Sequence, residues 1–323
     1  MELAGVSLSS PVLLAPMAGI TDLPFRNLVS QFGAGLVVSE MVASQEMVQA
    51  KPGVRERAEL GFDREGTAVQ IAGREAYWMA EAARMVTANG AQIIDINMGC
   101  PAKKVVNGYS GSALLKDLDH ALTLIEAVVE AVEIPVTLKT RLGWDDAVIN
   151  APQLAQRAER AGIKMITIHG RTRCQFYTGK ADWPAIRAVK NAVDIPVIAN
   201  GDIVSPPTAE KAQAQSAADG VMIGRGVQGR PWLLAEIASH LAGAPKSLAP
   251  KAADFADMVI GHYEAALSFY GEKLGARVIR KHLGWYMDTA RTPVALRKEI
   301  LTATPRDVVR ALPDALHLQE QAA

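Results

Sequence analysis

The sequence predicts a parallel (β/α)8 barrel of the TIM class, followed by a small C-terminal helical domain. Three observations lead there. Short apolar runs alternate with segments of helical spacing about eight times over roughly the first 240 residues. Glycine and polar residues gather just after each apolar run, as they do at the carboxyl-terminal rim of such a barrel. Beyond Gly243-Ala244-Pro245 the β-branched runs stop and only helical spacing remains. A doubly wound sheet would use fewer strands.

In chain order, Val12-Leu13-Leu14-Ala15 predicts the first strand, and Pro24 to Phe32 a helix opened by proline. Leu36 to Ser39 and Ala68 to Ile71 predict the second and third strands. A helix runs from Tyr77 to Thr87 and a fourth strand covers Gln92 to Asn97. Leu118, Leu122, Ile125, Val128 and Val129 place a helix between Asp117 and Val132. Pro135 to Lys139 predicts strand five, and a helix from Ala151 ends at Gly162. Met165 to His169, Pro196 to Asn200 and Gly220 to Ile223 complete the eight. The tail, with Phe255, Met258, Val259, His262 and Tyr263, then Val278 to Tyr286, then Pro293 to Leu312, reads as about three or four helices. The expected boundaries are 1–243 for the barrel and 244–323 for the helical domain, with Gly243 to Pro250 as linker.

Composition narrows the function. The chain has 323 residues, 49% of them hydrophobic, enough for one large core and a smaller one. Thirty-four basic residues balance 34 acidic ones, so no global field draws the protein to nucleic acid, and any such partner must be met by local patches. Two cysteines, Cys100 and Cys174, with no CxxC pair, argue against a disulfide scaffold or structural zinc and fit a reducing compartment. Six scattered histidines show no metal-ligand spacing, so no metal is expected. No Lys or Arg precedes Val12-Leu13-Leu14-Ala15 and Pro16 interrupts it, unlike a signal peptide. No run is long enough to span a bilayer. A cytoplasmic protein without membrane contact is the expectation.

The chemistry centres on Asp95-Ile96-Asn97-Met98-Gly99-Cys100-Pro101. Strand alternation puts Asp95 and Asn97 on one face and Ile94 and Ile96 on the other. Pro101 keeps Cys100 on extended backbone, and Gly99 permits a close approach. A thiol delivered to a strand exit among Asn, Gly and Pro suits a site better than a core. Gln70, Lys139 and His169 end strands three, five and six and converge on the same rim, where a planar polar ligand would sit. A lysine beside a flavin ring would stabilise the negative charge of its reduced form.

Asn200-Gly201-Asp202 after strand seven and Gly224-Arg225-Gly226 after strand eight form a candidate phosphate site, with Arg225 adding a charge-assisted contact. Gly224 to Gly229 also spells G-x-G-x-x-G. The dinucleotide reading fails, because about twenty residues on the chain reads Ala244-Pro245-Lys246, without the acidic residue, and no strand follows. Basic residues crowd the rim at Lys103, Lys104, Arg141, Arg171 and Arg173, and Arg277, Arg280 and Lys281 share a helical face. From 270 to 310 nine Lys or Arg stand against four Asp or Glu, a local net of plus five. Together they predict a polyanionic partner.

These stretches carry a resemblance. Ala15-Pro16-Met17-Ala18-Gly19 with Thr21-Asp22, Gln70-Ile71-Ala72-Gly73, the Asp95 to Pro101 motif, Lys139-Thr140-Arg141, His169-Gly170-Arg171-Thr172, Asn200-Gly201-Asp202, Gly224-Arg225-Gly226 and Arg280 to Tyr286 are similar to the tRNA-dihydrouridine synthases, most of all the bacterial B-type. The resemblance runs through nearly the whole chain. It implies an FMN enzyme that uses NADPH to reduce selected uridines of tRNA to 5,6-dihydrouridine. It implies that Pro16, Met17, Ala18, Gln70, Lys139 and His169 hold the flavin ring and ribityl chain. Asn200, Gly201, Asp202, Gly224 and Arg225 would lie nearer the phosphate. Hydride would pass from flavin N5 to uracil C6, Cys100 would protonate C5 and Asn97 would orient the base. An ordinary thiol, with a pKa of about 8.5, keeps its proton at neutral pH and can donate it. A target base must leave any stack to reach the flavin. The rim cations and the tail would hold the tRNA backbone.

The flavin residues alone also fit related barrel reductases of free pyrimidines, such as dihydroorotate or dihydropyrimidine dehydrogenases, which have no need of a basic helical tail. A non-catalytic RNA-binding barrel is a third reading, against which Cys100, Lys139 and both phosphate loops count.

Overall fold

A computed structural model of the chain describes residues 1–51, 53–61 and 66–316. Eight parallel strands close on themselves: β1 (Val12–Leu14), β2 (Leu36–Val38), β3 (Thr67–Ala72), β4 (Ile93–Met98), β5 (Val136–Arg141), β6 (Met165–His169), β7 (Val197–Asn200) and β8 (Gly220–Ile223). Each pairs with the next, and β8 returns to β1 with Val221 opposite Val12 and Ile223 opposite Leu14. Closure leaves the main sheet no open edge. The short strand Val42–Ala43 adds to β3 only beyond that ring.

Alternation sorts the strand side chains. Leu13, Leu36, Ala68, Ile93, Met165, Ile198 and Met222 fill the interior of the barrel, and Leu3 and Leu8 of an N-terminal hairpin (Glu2–Leu3 with Val6–Ser7) join them. The opposite faces pack against helices α1 (Leu23–Phe32), α2 (Ala76–Ala88), α3 (Leu118–Val129), α4 (Ala151–Arg160), α5 (Trp183–Lys190), α6 (Pro206–Ser216) and α7 (Leu233–Leu241). The helix starts are written locally. Asp22, Asp117 and Asp182 accept the amides of Phe25, His120 and Ala185, and Ser205 with Thr208 forms a capping box. Gly33, at φ 105°, ends α1 in the left-handed region that favours glycine.

Two departures from the sequence reading bear on the site. Between β2 and β3 the described residues hold only the short helix Ser44–Val48 and a 3-10 turn at Arg55–Ala58, in place of a full-length crossover helix. Strand β5 does not stop at Lys139. Thr140 pairs with Met98 and Ile168, and Arg141 with His169, so Arg141 leaves from a strand and not from a rim loop.

Helices α8 (Ala252–Tyr270), α9 (Glu272–Thr289), α10 (Val294–Thr302) and α11 (Pro305–Ala315) follow. They share their own core of Phe255, Val259, Tyr263, Ile279, Leu283, Tyr286, Met287, Val308 and Leu312. α8 and α9 cross so closely that a Cβ on Gly275 would come 2.6 Å from the Ala266 carbonyl oxygen. This bundle sits against α1 and the loop before it. The Tyr270 hydroxyl donates to Asp22 Oδ2 at 3.0 Å, and the His282 and His262 rings lie 4.8 and 5.6 Å from Phe25, centroid to centroid. No helix among the described residues is long and apolar enough to cross a membrane.

Candidate active site

The carboxyl-terminal ends of the strands surround a cavity of about 620 Å³. Its wall includes Pro16, Met17 and Ala18 after β1, Gln70 on β3, Asn97 and Cys100 at the end of β4, Lys139 and Arg141 on β5, and His169 on β6. Asn200, Gly201 and Asp202 after β7 and Gly224 and Arg225 after β8 complete the part foreseen from sequence. One fold-level fact brings fourteen scattered positions together: in a parallel barrel all strands end on the same rim.

Cys100 is partly exposed, and the peptide groups on both sides of it are held. Its N–H donates to Asn97 Oδ1 at 3.0 Å, and its carbonyl accepts from Ser112 Oγ at 2.9 Å and from the Ser112 amide at 3.1 Å. Gly111, at φ 60°, lets that second loop lie close; a Cβ there would stand 2.8 Å from the Cys100 oxygen. Behind the thiol runs a buried polar row. Asn97 Nδ2 donates to Gln70 Oε1 at 2.8 Å, Gln70 Nε2 to Asp95 Oδ2 at 2.6 Å, and Thr137 Oγ1 to Asp95 Oδ1 at 2.7 Å. Sheet register builds the row, since Gln70 lies opposite Asp95, and Asp95 opposite Thr137.

Lys139 donates to Asn200 Oδ1 at 3.2 Å, and Asn200 is oriented by its own bond to the Met222 carbonyl. Burial, with the neighbouring Arg141 charge, brings the Lys139 ammonium down to about 8. It therefore stays mostly charged at pH 7. Burial and the surrounding cations, Lys139 first, hold His169 well below the usual histidine range, so its ring is neutral. Its Nδ1 is buried without a partner among the described residues. Burial raises the Asp95 carboxyl, although Thr137 and Gln70 oppose that by hydrogen bonding.

The two candidate phosphate loops touch. A Cβ on Gly226 would come 2.6 Å from the Ile203 carbonyl oxygen, and one on Gly201 would come 2.9 Å from Ala181 Cβ. Arg225 carries an exposed guanidinium 5.1 Å from the Tyr177 ring and 4.0 Å from Asp202. β8 is followed by a 3-10 turn at Arg225–Val227 and not directly by a long helix.

The structure corrects the basic set. Arg171 is buried and lines no part of the cavity. Its guanidinium forks onto Asp202 at 2.6 and 3.0 Å and also donates to the Thr178 and Gly179 carbonyls, so four of its five N–H groups are spent within the protein and it is a loop anchor. Asp202 is correspondingly committed. Burial pushes its carboxyl up, but the Arg171 hydrogen bonds and the Ala181 amide hold it below the usual carboxylate range. Arg141 reaches the cavity, yet its Nε and Nη1 serve the Gly99, Thr172 and Phe176 carbonyls. Arg173 lies 4.8 Å from the Trp144 ring, which Lys116 also covers at 4.0 Å. Lys103 and Lys104 open the short helix Lys103–Asn107 just beyond Cys100 and are exposed.

In the tail, Arg277, Arg280 and Lys281 are exposed on α9. Lys281 Nζ stands 3.0 Å from where a Cβ on Gly19 would be, which brings this helix to the loop beside Met17 and Ala18. Sequence reasoning missed Met41, Phe176, Tyr177 and Gln228 in the cavity wall. The aromatic pair Phe176-Tyr177, seven residues past His169, was a visible signal; Met41 and Gln228 offered none. Among the described residues no group of three or more His, Cys, Asp or Glu could hold a metal ion.

Comparison with known proteins adds a second line. A family model described as "Dihydrouridine synthase (Dus)" matches residues 13–320. The chain is 58% identical to a "Probable tRNA-dihydrouridine synthase" of Rhodobacter capsulatus, over 100% of this chain and 99% of that protein. It is 55% identical to a protein of the same description from Rhizobium leguminosarum, over 96% of each. A "tRNA-dihydrouridine synthase B" of Xanthomonas axonopodis is 44% identical, over 98% of this chain and all of that one. Among solved structures, a 2-naphthoyl-CoA reductase complex superposes with a TM-score of 0.60 at 14% identity, covering 76% of this chain and 52% of that chain, a likeness of fold alone.

Proposed function

The chain belongs to the tRNA-dihydrouridine synthase family, and from that premise we propose that it is a cytoplasmic enzyme that reduces selected uridines of tRNA to 5,6-dihydrouridine, with FMN as cofactor and NADPH as reductant. The observation that carries the reading is Cys100, its backbone N–H and carbonyl both held, lining one cavity together with Lys139 and His169.

The residues present fit a flavin. The cavity mixes apolar wall from Met17, Ile20 and Met41 with a few fixed polar groups, as planar cofactor sites do. A cationic Lys139 beside a neutral His169 suits a ring system that takes on negative charge, and the His169 Nδ1 has no match among the described residues. Pro16, Met17, Ala18, Gln70, Lys139 and His169 would hold the ring and ribityl chain. Asn200, Gly201, Gly224 and Arg225 would lie nearer the phosphate, with Asp202 acting there through its grip on Arg171. When bound, the flavin supplies hydride for C6 of the uracil and draws it from NADPH.

The chain's own groups do the rest. Cys100 holds the proton for C5, on a backbone whose N–H and carbonyl are both hydrogen-bonded. Asn97 spends its oxygen on the Gly99 and Cys100 amides and one amide hydrogen on Gln70, which leaves its second hydrogen for the base. Phe176 and Tyr177 also line the cavity and would offer aromatic faces to an unstacked base. Lys103, Lys104, Arg173, Arg277, Arg280 and Lys281 would meet the tRNA backbone, making 1–243 the catalytic unit and 244–323 the tRNA-binding one. The test has two parts. Purified protein should show flavin absorbance and release FMN on heating, and tRNA from a strain lacking this protein should lose dihydrouridine at specific positions. A colourless protein that fails to bind added FMN, or an unchanged dihydrouridine map, would overturn the reading.

A further inference from the structure

We propose that Asp95, buried at the centre of β4, is a positioning residue for Cys100, acting through Gln70 and Asn97. The inference rests on the proposed role of Cys100 as proton donor. Asp95 does not touch the cavity. Its side chain is buried, one oxygen on Thr137 Oγ1 and the other on Gln70 Nε2. The chemistry of these groups gives the row a direction. A carboxamide presents an oxygen at one end and an NH₂ at the other, and taken alone Gln70 and Asn97 could each sit either way round. A carboxylate only accepts. With Asp95 Oδ2 at 2.6 Å, the Gln70 end facing it has to be Nε2. Gln70 Oε1 then faces Asn97, whose near end has to be Nδ2. That leaves Asn97 Oδ1 aimed at the amides of Gly99 and Cys100, at 3.2 and 3.0 Å.

Reversing any amide would set donor against donor, or oxygen against oxygen, in a buried row, at a cost well above that of a merely absent bond. The Gly99 and Cys100 amides, which only donate, set the same direction from the other end, and Asp95 is the acceptor that closes the row and holds the Gln70 amide to it. A proton taken up on Oδ1, beside Thr137, would leave Oδ2 an acceptor and the direction intact. What is positioned at the far end is the peptide that carries the thiol, held on its other side by Ser112.

The role is orientation and not charge, and two substitutions separate these. Asp95→Asn can still offer Oδ1 to Gln70 while its Nδ2 donates to Thr137 Oγ1, whose hydroxyl turns to the Ile94 carbonyl 3.4 Å away. Asp95→Leu can do neither. In a Cys174→Ser background, with flavin-replete protein, the measurements are the iodoacetamide alkylation rate of Cys100 and the turnover of uridine to dihydrouridine at saturating tRNA. Asp95→Leu should alkylate at least threefold faster, because a loosened peptide exposes the thiol, and should turn over about tenfold to a hundredfold more slowly with little change in KM, as loss of alignment predicts. Asp95→Asn should return both readings to within about threefold of the parent. A folded Asp95→Leu with parental alkylation and turnover overturns the proposal, as does an Asp95→Asn as impaired as the leucine variant, which would make the charge decisive. If Asp95→Leu does not fold, Gln70→Leu cuts the row at its next link and is read against the same two outcomes. A parent that forms no dihydrouridine would defeat the proposed function while leaving the alkylation comparison standing. Equal alkylation in all variants would defeat the relay while leaving the proposed function standing.

Discussion

Replacing Arg171 with methionine separates a scaffold arginine from an RNA-contacting one. The substitution keeps an unbranched apolar chain but removes four hydrogen bonds: two to Asp202 and one each to the Thr178 and Gly179 carbonyls. Removing one partner of a buried pair typically costs about 3–5 kcal/mol, because the other is stranded. Asp202 keeps 30% of its side-chain exposure and retains the Ala181 amide, so water and that amide recover part of the loss. The expected cost is the lower end, about 3 kcal/mol. For 323 residues an unfolding entropy of about 2.1 cal/mol/K per residue makes this a fall in melting temperature of about 4 °C. Thermal unfolding followed by circular dichroism reads the first number, and tRNA affinity over a range of salt reads the second. Loss of the anchor should lower the melting temperature and leave the slope of log K against log salt unchanged. A variant with the parent's melting temperature and a slope smaller by about one would show Arg171 meeting a phosphate, and would refute the anchoring argument.

Other outcomes follow from the same geometry. Cys100→Ala should keep flavin and tRNA but lose dihydrouridine formation by about a hundredfold or more, while NADPH still reduces the flavin and the exposed Cys174 tolerates the same change. Single-turnover assays check this, and an unchanged rate would remove Cys100 as the acid. Replacing Arg277, Arg280 and Lys281 together with alanine should weaken tRNA binding and reduce the salt slope by about two to three, with flavin content unaltered; a lower melting temperature at the parental slope would instead place these residues in the packing of the tail. Asp22, raised to about 6 by burial against the Phe25 amide and Tyr270 hydroxyl bonds, should make stability fall as pH rises from about 4 through 6, because its neutral form is the one the fold prefers. Urea unfolding of Asp22→Asn across that window should be flatter than the parent, and parallel curves would contradict the assignment.

The barrel, the helical tail and most of the cavity wall were legible in the chain because they are written locally. Alternation marks the strands, helical spacing and capping residues mark the helices, and a barrel sends every strand end to one rim, so Gln70, Cys100, Lys139, His169 and Asn200 could be grouped without a structure. Side-chain partners were not legible. Arg141 and Arg171 look like rim cations in sequence, yet most of their donors are spent on carbonyls of Gly99, Thr172, Phe176, Thr178 and Gly179, and on Asp202. Those acceptors lie on loops that meet only when the strands close. The Asp95–Gln70–Asn97 row needs strand register, which sets Gln70 beside Asp95, and the meeting of His262 and His282 with Phe25 needs the tail to fold back on α1. Periodicity is a property of neighbours in the chain. Whether a cation faces water or a carbonyl is a property of neighbours in space, and desolvation makes that choice only after the backbone has brought them together.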